Sequence, residues 1–269
     1  MNASLEILQE DNDIIVCRKP FGIPVQTAKT GQQDMISLLR NHRAGKREVP
    51  EIYVIHRLDQ PVEGIMVFAK NQKAAASLSR QIQQKSIDKY YYALAEGKLM
   101  PQEGKLENYL LRDGKSNTSK VVTADTRGAK KAILYYKVLQ IKELSAKEPE
   151  IKESQVKEPQ VKEPQVKEPQ IKEALKVPST KEPEAEGELQ SLIEVQLETG
   201  RHHQIRVQMA HAGFPLVGDK KYNSGCRTGY MPIGLCSIRL AFVHPSTGKR
   251  LEFSIEPQGE AFRSFRDMI

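Results

Sequence analysis

The chain has 269 residues, 39% of them hydrophobic and 28% charged, with 41 Lys and Arg against 34 Asp and Glu. That length builds one large domain or two small ones, and the net charge of +7 favours a polyanionic partner. The three cysteines, Cys17, Cys226 and Cys236, are odd in number and lack C-x-x-C spacing, which argues against a disulfide framework or a cysteine zinc site and fits a reducing compartment.

The opening MNASLEILQEDND is acidic and has none of the apolar core of a signal peptide. No apolar run approaches the roughly 20 residues that span a bilayer. A soluble, cytoplasmic protein is expected, with no membrane partner and a monomer as the default state.

Asp13 to Arg18 reads as a strand, followed by a turn at Lys19-Pro20-Phe21-Gly22. Met35 to His42 has the pattern of a short helix ending near Gly45. Ile52 to His56 and Gly64 to Lys70 are apolar, β-branched strands around a turn at Gln60-Pro61. Asn71 can cap a helix running to about Lys85, with Ala75, Leu78 and Ile82 on one face. Tyr90 to Glu96 returns to strand, and Ala132 to Leu139 is another. Ser191 to Thr199 alternates, with Ile193, Val195 and Leu197 on one side and Glu194, Gln196 and Glu198 on the other. Gln204 to Ala212 is helical in pattern, stopped by Gly213 and Pro215. The chain closes on a hairpin, Ile238, Leu240 and Phe242 against Leu251, Phe253 and Ile255 across a turn at Ser246-Thr247-Gly248-Lys249. Strands in runs with a few helices between them predict an α+β fold, a mainly antiparallel mixed sheet with flanking helices.

Between the strands at 132–139 and 191–199 the composition changes. Residues 142–188 hold 9 Lys and 12 Glu, no aromatic residue, and the five-residue repeat KEPQVKEPQVKEPQIKE. Proline every fifth residue removes backbone donors and disrupts helix, and the apolar positions Val156, Val161, Val166 and Ile171 are too sparse for a core. The expected organisation is one domain built from residues 1–141 and 188–269, with 142–187 a disordered or semi-extended insertion in a hairpin loop. Loop-closure entropy grows slowly enough to tolerate it. Without residues 142–188 the chain keeps 32 basic and 22 acidic side chains, so its folded part is more basic than the whole.

Three segments are dense in reactive side chains. In Ile55-His56-Arg57-Leu58-Asp59-Gln60-Pro61-Val62-Glu63-Gly64 a His and two opposite charges sit where a strand ends. Lys89-Tyr90-Tyr91-Tyr92-Ala93 sets tyrosines in a strand. Thr199-Gly200-Arg201-His202-His203-Gln204-Ile205-Arg206 is basic and leads from strand into helix. An Arg–Asp surface pair, an aromatic strand and a phosphate-binding turn are the plain readings of each. Adjacent His202 and His203 on extended chain would point to opposite faces, which argues against a shared metal ion. No G-x-S-x-G or Walker-type loop is present.

In this order and spacing the three segments resemble the signature motifs of the RluA/RsuA group of pseudouridine synthases. HRLD, a proline-containing turn and a glycine resemble the group's catalytic motif. The tyrosine segment resembles its K-x-Y-x-A. TGRHHQIRVQMAHAGFPLVGDKKY resembles TGR-x-HQIR with the following G-x-P-x-x-GD-x-x-Y. The stretch from Glu10 through Lys19-Pro20-Phe21-Gly22-Ile23-Pro24 and the His244-Pro245 hairpin match the group's usual start and end, so the resemblance covers nearly all of the chain outside the insertion. It departs at His202, where threonine is common, at Gln208, where histidine is frequent, and at Glu63, where a small residue is usual. The small basic module that precedes the catalytic domain in many relatives is also expected to be missing.

The resemblance implies the pseudouridine synthase catalytic fold and isomerisation of uridine within structured RNA, ribosomal slightly favoured over transfer RNA, with no cofactor and no metal. It makes Asp59 the nucleophile, Tyr91 the ring that stacks on the flipped base and a candidate base for the carbon 5 proton, and Arg206 the cation that keeps Asp59 ionised through a bidentate grip. Arg57, His56, Lys89, Arg201, His203 and Gln204 become substrate-binding candidates. Other readings stay open: a catalytically inactive RNA-binding protein on the same fold, a metal-dependent nuclease using the His-rich segment, and an interaction protein acting through the repeat.

Overall fold

The computed structural model describes residues 5–144, 188–226 and 232–269. The repeat segment from residue 145 onward, with the disorder expected of it, lies outside the described residues. By contacts the chain divides into a unit of Met1–Lys142 with Leu189–Ile269 and a second of Glu143–Glu188. Apart from the outermost residues of two strands that border the repeat, every element described belongs to the first unit.

In chain order the elements are β1 (Glu6–Glu10), β2 (Ile14–Lys19), α1 (Met35–Gly45), β3 (Tyr53–Val54), β4 (Glu63–Ala69), α2 (Gln72–Gln83), β5 (Asp88–Glu96), β6 (Glu103–Asp113), β7 (Thr118–Val122), β8 (Lys130–Leu144), β9 (Glu188–Leu197), α3 (Gln204–His211), β10 (Leu235–Val243), β11 (Arg250–Ser254) and a 3-10 helix (Glu260–Met268). Among the described residues eleven strands form one sheet, in the order β1-β2-β4-β10-β5-β9-β8-β6-β7, with β11 on β10 and β3 on β4. Most pairs are antiparallel; β4 and β10 run parallel, so the sheet is mixed and the fold α+β, as expected. β8 and β9, which flank the repeat, are neighbours in the sheet.

Both faces of the central strands are buried, and the two-residue period decides which side chain goes where. Ile15 and Cys17 of β2, Met66 and Phe68 of β4, Tyr91 and Ala93 of β5, and Ile193 and Val195 of β9 share one core with Met35 and Leu39 of α1 and Ile205 and Met209 of α3. Ile14, Val16, Ile65 and Val67 face the other way, onto Ala74 and Leu78 of α2. Leu94, Leu192 and Ile238 meet Phe262 and Phe265 of the 3-10 helix on that second face. The Val, Leu, Ile, Met and Phe side chains among these each contribute roughly 1.5–3 kcal/mol on burial. One consequence matters for chemistry: Tyr91 points to the face that α3 covers.

The helix boundaries follow local rules. Asn71 caps α2 through a hydrogen bond from the Ala74 amide at 2.9 Å, as the sequence indicates. Asp34 caps α1 in a reciprocal box with Ser37. The strand expected over Ile52–His56 shrinks to Tyr53–Val54. The reason lies at its end: the His56 side chain, not a ladder carbonyl, accepts the Val67 amide at 3.3 Å, directly after Val54 pairs with Phe68. β1, the β6–β7 hairpin and the 3-10 helix are additions to the elements expected from sequence.

Gly64 sets the parallel contact. Its φ is 138°, and a Cβ there would lie 2.5 Å from the Ser237 backbone nitrogen, so only glycine lets β4 and β10 meet. That contact closes the segment that began at Ile55 and fixes the far end of the Asp59 loop.

Candidate active site

Asp59 lies in the loop between β3 and β4, at the base of a cleft of about 1070 Å³ whose walls include Arg57, Lys89, Tyr91, Arg201, His203 and Arg206. The loop is tied at several points. Val62 donates its amide to the Asp59 carbonyl at 3.0 Å, and Gly22 donates to the Gln60 carbonyl at 3.0 Å. Lys19, fully buried, donates its ammonium to the carbonyls of Pro20, Gln60 and Val62 at 3.0, 3.1 and 2.6 Å. Three N–H bonds meet three acceptors, which satisfies the charge in place. Burial nevertheless lowers the Lys19 pKa to about 7, against the pull of Asp59 and Glu63. The turn at Lys19–Gly22 therefore braces the Asp59 loop.

Arg206, in the first turns of α3, reaches Asp59 with one nitrogen. Its Nη1 donates to Asp59 Oδ2 at 3.0 Å. Its fork belongs to another residue: Nε and Nη2 donate to the two oxygens of Asp219 at 2.8 and 2.7 Å. The bidentate grip expected on Asp59 is thus made on Asp219. Asp219 is fully buried and is fixed in turn by the backbone amides of Lys221 and Tyr222. Burial works against the guanidinium charge, but the hydrogen bonds to Asp219 and the charges of Asp219 and Asp59 outweigh it and raise the Arg206 pKa. Arg206 also lies 5.2 Å from the centre of the Tyr222 ring. Asp59 Oδ1 carries no hydrogen bond among the described residues, and the side chain is a quarter exposed toward the cleft.

Tyr91 is buried in the cleft wall on the face set by the period of β5. Burial, reinforced by the nearby Asp59 charge, raises its phenol above the ordinary range. At neutral pH it is protonated. It offers an aromatic face and a donor, while the expected role as a base requires the phenolate that burial disfavours.

The substrate-binding candidates separate into two groups. Arg57 is exposed, and neither it nor Lys89 makes a hydrogen bond or ion pair among the described residues. Burial lowers the Lys89 pKa, and Arg201 opposite adds to the effect. Arg201 uses only Nε, on the Lys131 carbonyl at 2.9 Å. These three present cationic groups to the cleft. His56 and Gln204 do not act that way. His56 is held neutral by burial, with a pKa near 3, and its Nε2 accepts the Val67 amide. The Gln204 amide is consumed by the fold: Oε1 accepts from Thr199 and from the Arg201 backbone, and Nε2 donates to the Ile133 carbonyl.

His203 occupies the left-handed region, φ 53° and ψ 28°, at the N-terminus of α3. This overturns the expectation that His202 and His203 point to opposite faces, because the chain there is not extended; their rings stack with centroids 3.8 Å apart. His202 Nδ1 lies 2.9 Å from the Ser119 hydroxyl and His203 Nδ1 lies 2.8 Å from the Tyr222 hydroxyl. Gln208 points away from the cleft and ties α3 to the Leu106 carbonyl and the Asn108 side chain. Glu63 accepts the Gln258 and Gly259 amides at 3.1 and 2.7 Å, anchoring the C-terminal segment. The departures at Gln208 and Glu63 thus have work in the fold.

Lys19, Asp219 and Tyr222 were not singled out from sequence. Lys19 sits in the KPFG turn and the other two in GDKKY, so their motifs were visible while their partners were not.

Comparison with known proteins shows the family and the fold. Residues 13–211 match the family model described as RNA pseudouridylate synthase. An uncharacterised RNA pseudouridine synthase of Bacillus subtilis is 31% identical over 244 residues, covering 90% of this chain and 65% of that protein. Ribosomal large subunit pseudouridine synthase D of Neisseria meningitidis serogroup B is 30% identical over 264 residues, covering 93% of this chain and 57% of that protein. The chain therefore spans about two thirds or less of the length of these relatives. Among solved structures, human RNA pseudouridylate synthase domain containing 4 shares the fold, with a TM-score of 0.65 at 21% identity, over 97% of this chain and 93% of that one. With the matched region taking in Asp59, Tyr91 and Arg206, this chain belongs to the RNA pseudouridylate synthase family.

Proposed function

We propose that the chain is an RNA pseudouridine synthase that isomerises uridine in structured RNA with Asp59 as nucleophile, and that its substrate is ribosomal RNA. The observation that carries the reading is the cleft-lining Asp59 carboxylate, pinned through Oδ2 to Arg206 while Oδ1 has no partner among the described residues. The choice of ribosomal RNA rests on relatives such as the Neisseria ribosomal large subunit pseudouridine synthase D.

A uridine inside a helix cannot turn over, so it flips into the cleft at a cost of a few kcal/mol. Stacking on Tyr91 offsets part of that cost. Arg57, Lys89 and Arg201 are cations without competing ion pairs among the described residues and suit the flanking phosphates. The bond from ribose carbon 1′ to ring nitrogen 1 breaks, with Asp59 Oδ1 as nucleophile or as the stabiliser of the detached sugar. The base rotates, carbon 1′ bonds to carbon 5, the carbon 5 proton leaves and nitrogen 1 takes up a proton. Arg206 keeps Asp59 ionised and aimed throughout.

The test is a map of pseudouridine in ribosomal and transfer RNA from cells carrying the wild-type protein, a deletion, or Asp59→Asn, with the purified proteins assayed on the unmodified transcript. Loss of the same one or few sites in both mutants, with RNA affinity of Asp59→Asn kept within about twofold, is expected. Unchanged maps and no turnover in vitro would leave an RNA-binding protein on this fold.

A further inference from the structure

We propose that His203, locked by Tyr222 in the tautomer that carries its proton on Nε2, is a positioning residue that gives Asp59 Oδ2 a second donor beside Arg206. The inference rests on Asp59 being the working carboxylate, but its structural half stands on a hydrogen-bond count.

The Tyr222 hydroxyl accepts the Ser119 backbone amide at 2.7 Å and lies 2.8 Å from His203 Nδ1. The phenol proton has no other acceptor among the described residues, so it goes to Nδ1. A neutral imidazole that accepts at Nδ1 must carry its own proton at Nε2. Nε2 faces Asp59 Oδ2 at 3.5 Å, a long contact of the kind that shortens when substrate closes a site. Asp59 Oδ2 then meets two donors, Arg206 Nη1 and His203 Nε2, and Oδ1 is left as the oxygen turned to the cleft.

The surroundings hold the ring in this pose. His203 is 5% exposed at its side chain, stacked on His202 and edge-on to Tyr222 at 5.6 Å. Its left-handed backbone is a strained conformation for a residue with a Cβ, costing on the order of 1 kcal/mol. The conformation is what turns the ring back toward Asp59 instead of away from it. The groups that face His203 are Asp59, Arg206, His202 and Lys221; burial dominates them and lowers its pKa to about 4, so it stays neutral across the working range. Burial also raises Tyr222, keeping its phenol proton in place.

The experiment has two arms. Long-range proton–nitrogen spectra of the full chain labelled at histidine nitrogen report the tautomer directly. A protonated Nε2 and bare Nδ1 at His203 are expected; a protonated Nδ1 overturns the proposal whatever the enzyme does. The second arm is kinetic, on the RNA identified by the map. Tyr222→Phe is expected to lower kcat about tenfold with KM little changed. Freed at Nδ1, the ring can move its proton there and turn a lone pair on Asp59. His203→Gln keeps a donor at the same reach and retains most of kcat, while His203→Leu does not. A Tyr222→Phe deficit confined to KM, or a His203→Gln loss as large as that of His203→Leu, overturns the positioning role. Wild-type protein with the expected tautomer but no turnover on any RNA sinks the synthase reading and leaves the His203 contact standing.

Discussion

Arg206 serves two carboxylates with different jobs. Asp219 takes its fork in a buried, fully bonded pair, and the remaining Nη1 is what Asp59 receives. A lysine at this position offers one point charge and cannot make both contacts. Arg206→Lys is therefore expected to lower kcat about 10²–10³-fold, comparable to the loss of one fixed electrostatic donor. A melting curve within a few degrees of wild type would place the loss in chemistry. Near-normal turnover would remove Arg206 from the mechanism. The same division of labour separates Asp59 from Asp219, although both are aspartates next to one arginine. Asp219 has both oxygens occupied and no exposure, whereas Asp59 keeps one oxygen for substrate.

The strands and helices hold the site through a few cross-links between elements. Glu10 at the end of β1 is one. It binds Lys46 and His42 of the α1 C-terminal region at 2.7 and 2.9 Å and the buried Lys70 after β4 at 3.0 Å. Burial alone would raise its pKa, but the hydrogen bonds to Lys46, His42 and Lys70 prevail and lower it to about 2 from 4.5. The folded-state value lies below the unfolded one, so the unfolded chain binds more protons in between. The network's contribution is complete above about pH 4.5 and is lost as pH falls toward 2. Glu10→Gln should thus lower stability at neutral pH by roughly 2–3 kcal/mol, with the difference vanishing between pH 4.5 and 2 in urea unfolding series. A pH-independent difference would mean that shape and not charge holds β1 to α1. The 3-10 helix is held comparably by Glu63, whose carboxylate accepts two backbone amides just before it.

At the scale of the whole molecule, the described fold is a continuous sheet interrupted, between β8 and β9, by a repeat that lies outside the described residues. Among the described residues no helix is long and apolar enough to cross a membrane. The excess of Lys and Arg resides outside the repeat region, which is richer in Glu than in Lys. Deleting residues 145–186 should accordingly leave turnover on RNA within about twofold and stability unchanged or slightly higher, because loop-closure cost varies only as the logarithm of length. Activity assays and unfolding of the deletion protein check this, and loss of turnover would assign the repeat a part in substrate capture.

Much of this was legible in the residues. The two-residue period of β2, β4, β5 and β9 and the cap at Asn71 are local properties, and local geometry suffices to produce them. The order HRLD, K-x-Y-x-A and TGR-x-HQIR likewise named Asp59, Tyr91 and Arg206 before any of them had a position. The sequence by itself could not tell a side chain that faces substrate from one that braces the loop beside it. His56 and Gln204 stand within motifs as prominently as Arg57 and Arg201, yet spend their polar atoms on Val67, Thr199, Arg201 and Ile133. Nor could it pair Arg206 with Asp219, give His203 its left-handed turn, or show that Lys19 braces the Asp59 loop across 41 residues of chain. Those choices are made by hydrogen-bond partners that only the folded chain brings together, some when α3 packs on the sheet and some when the Lys19 turn meets the Asp59 loop. Periodicity fixes which face a residue takes; the tertiary structure decides what is waiting for it there.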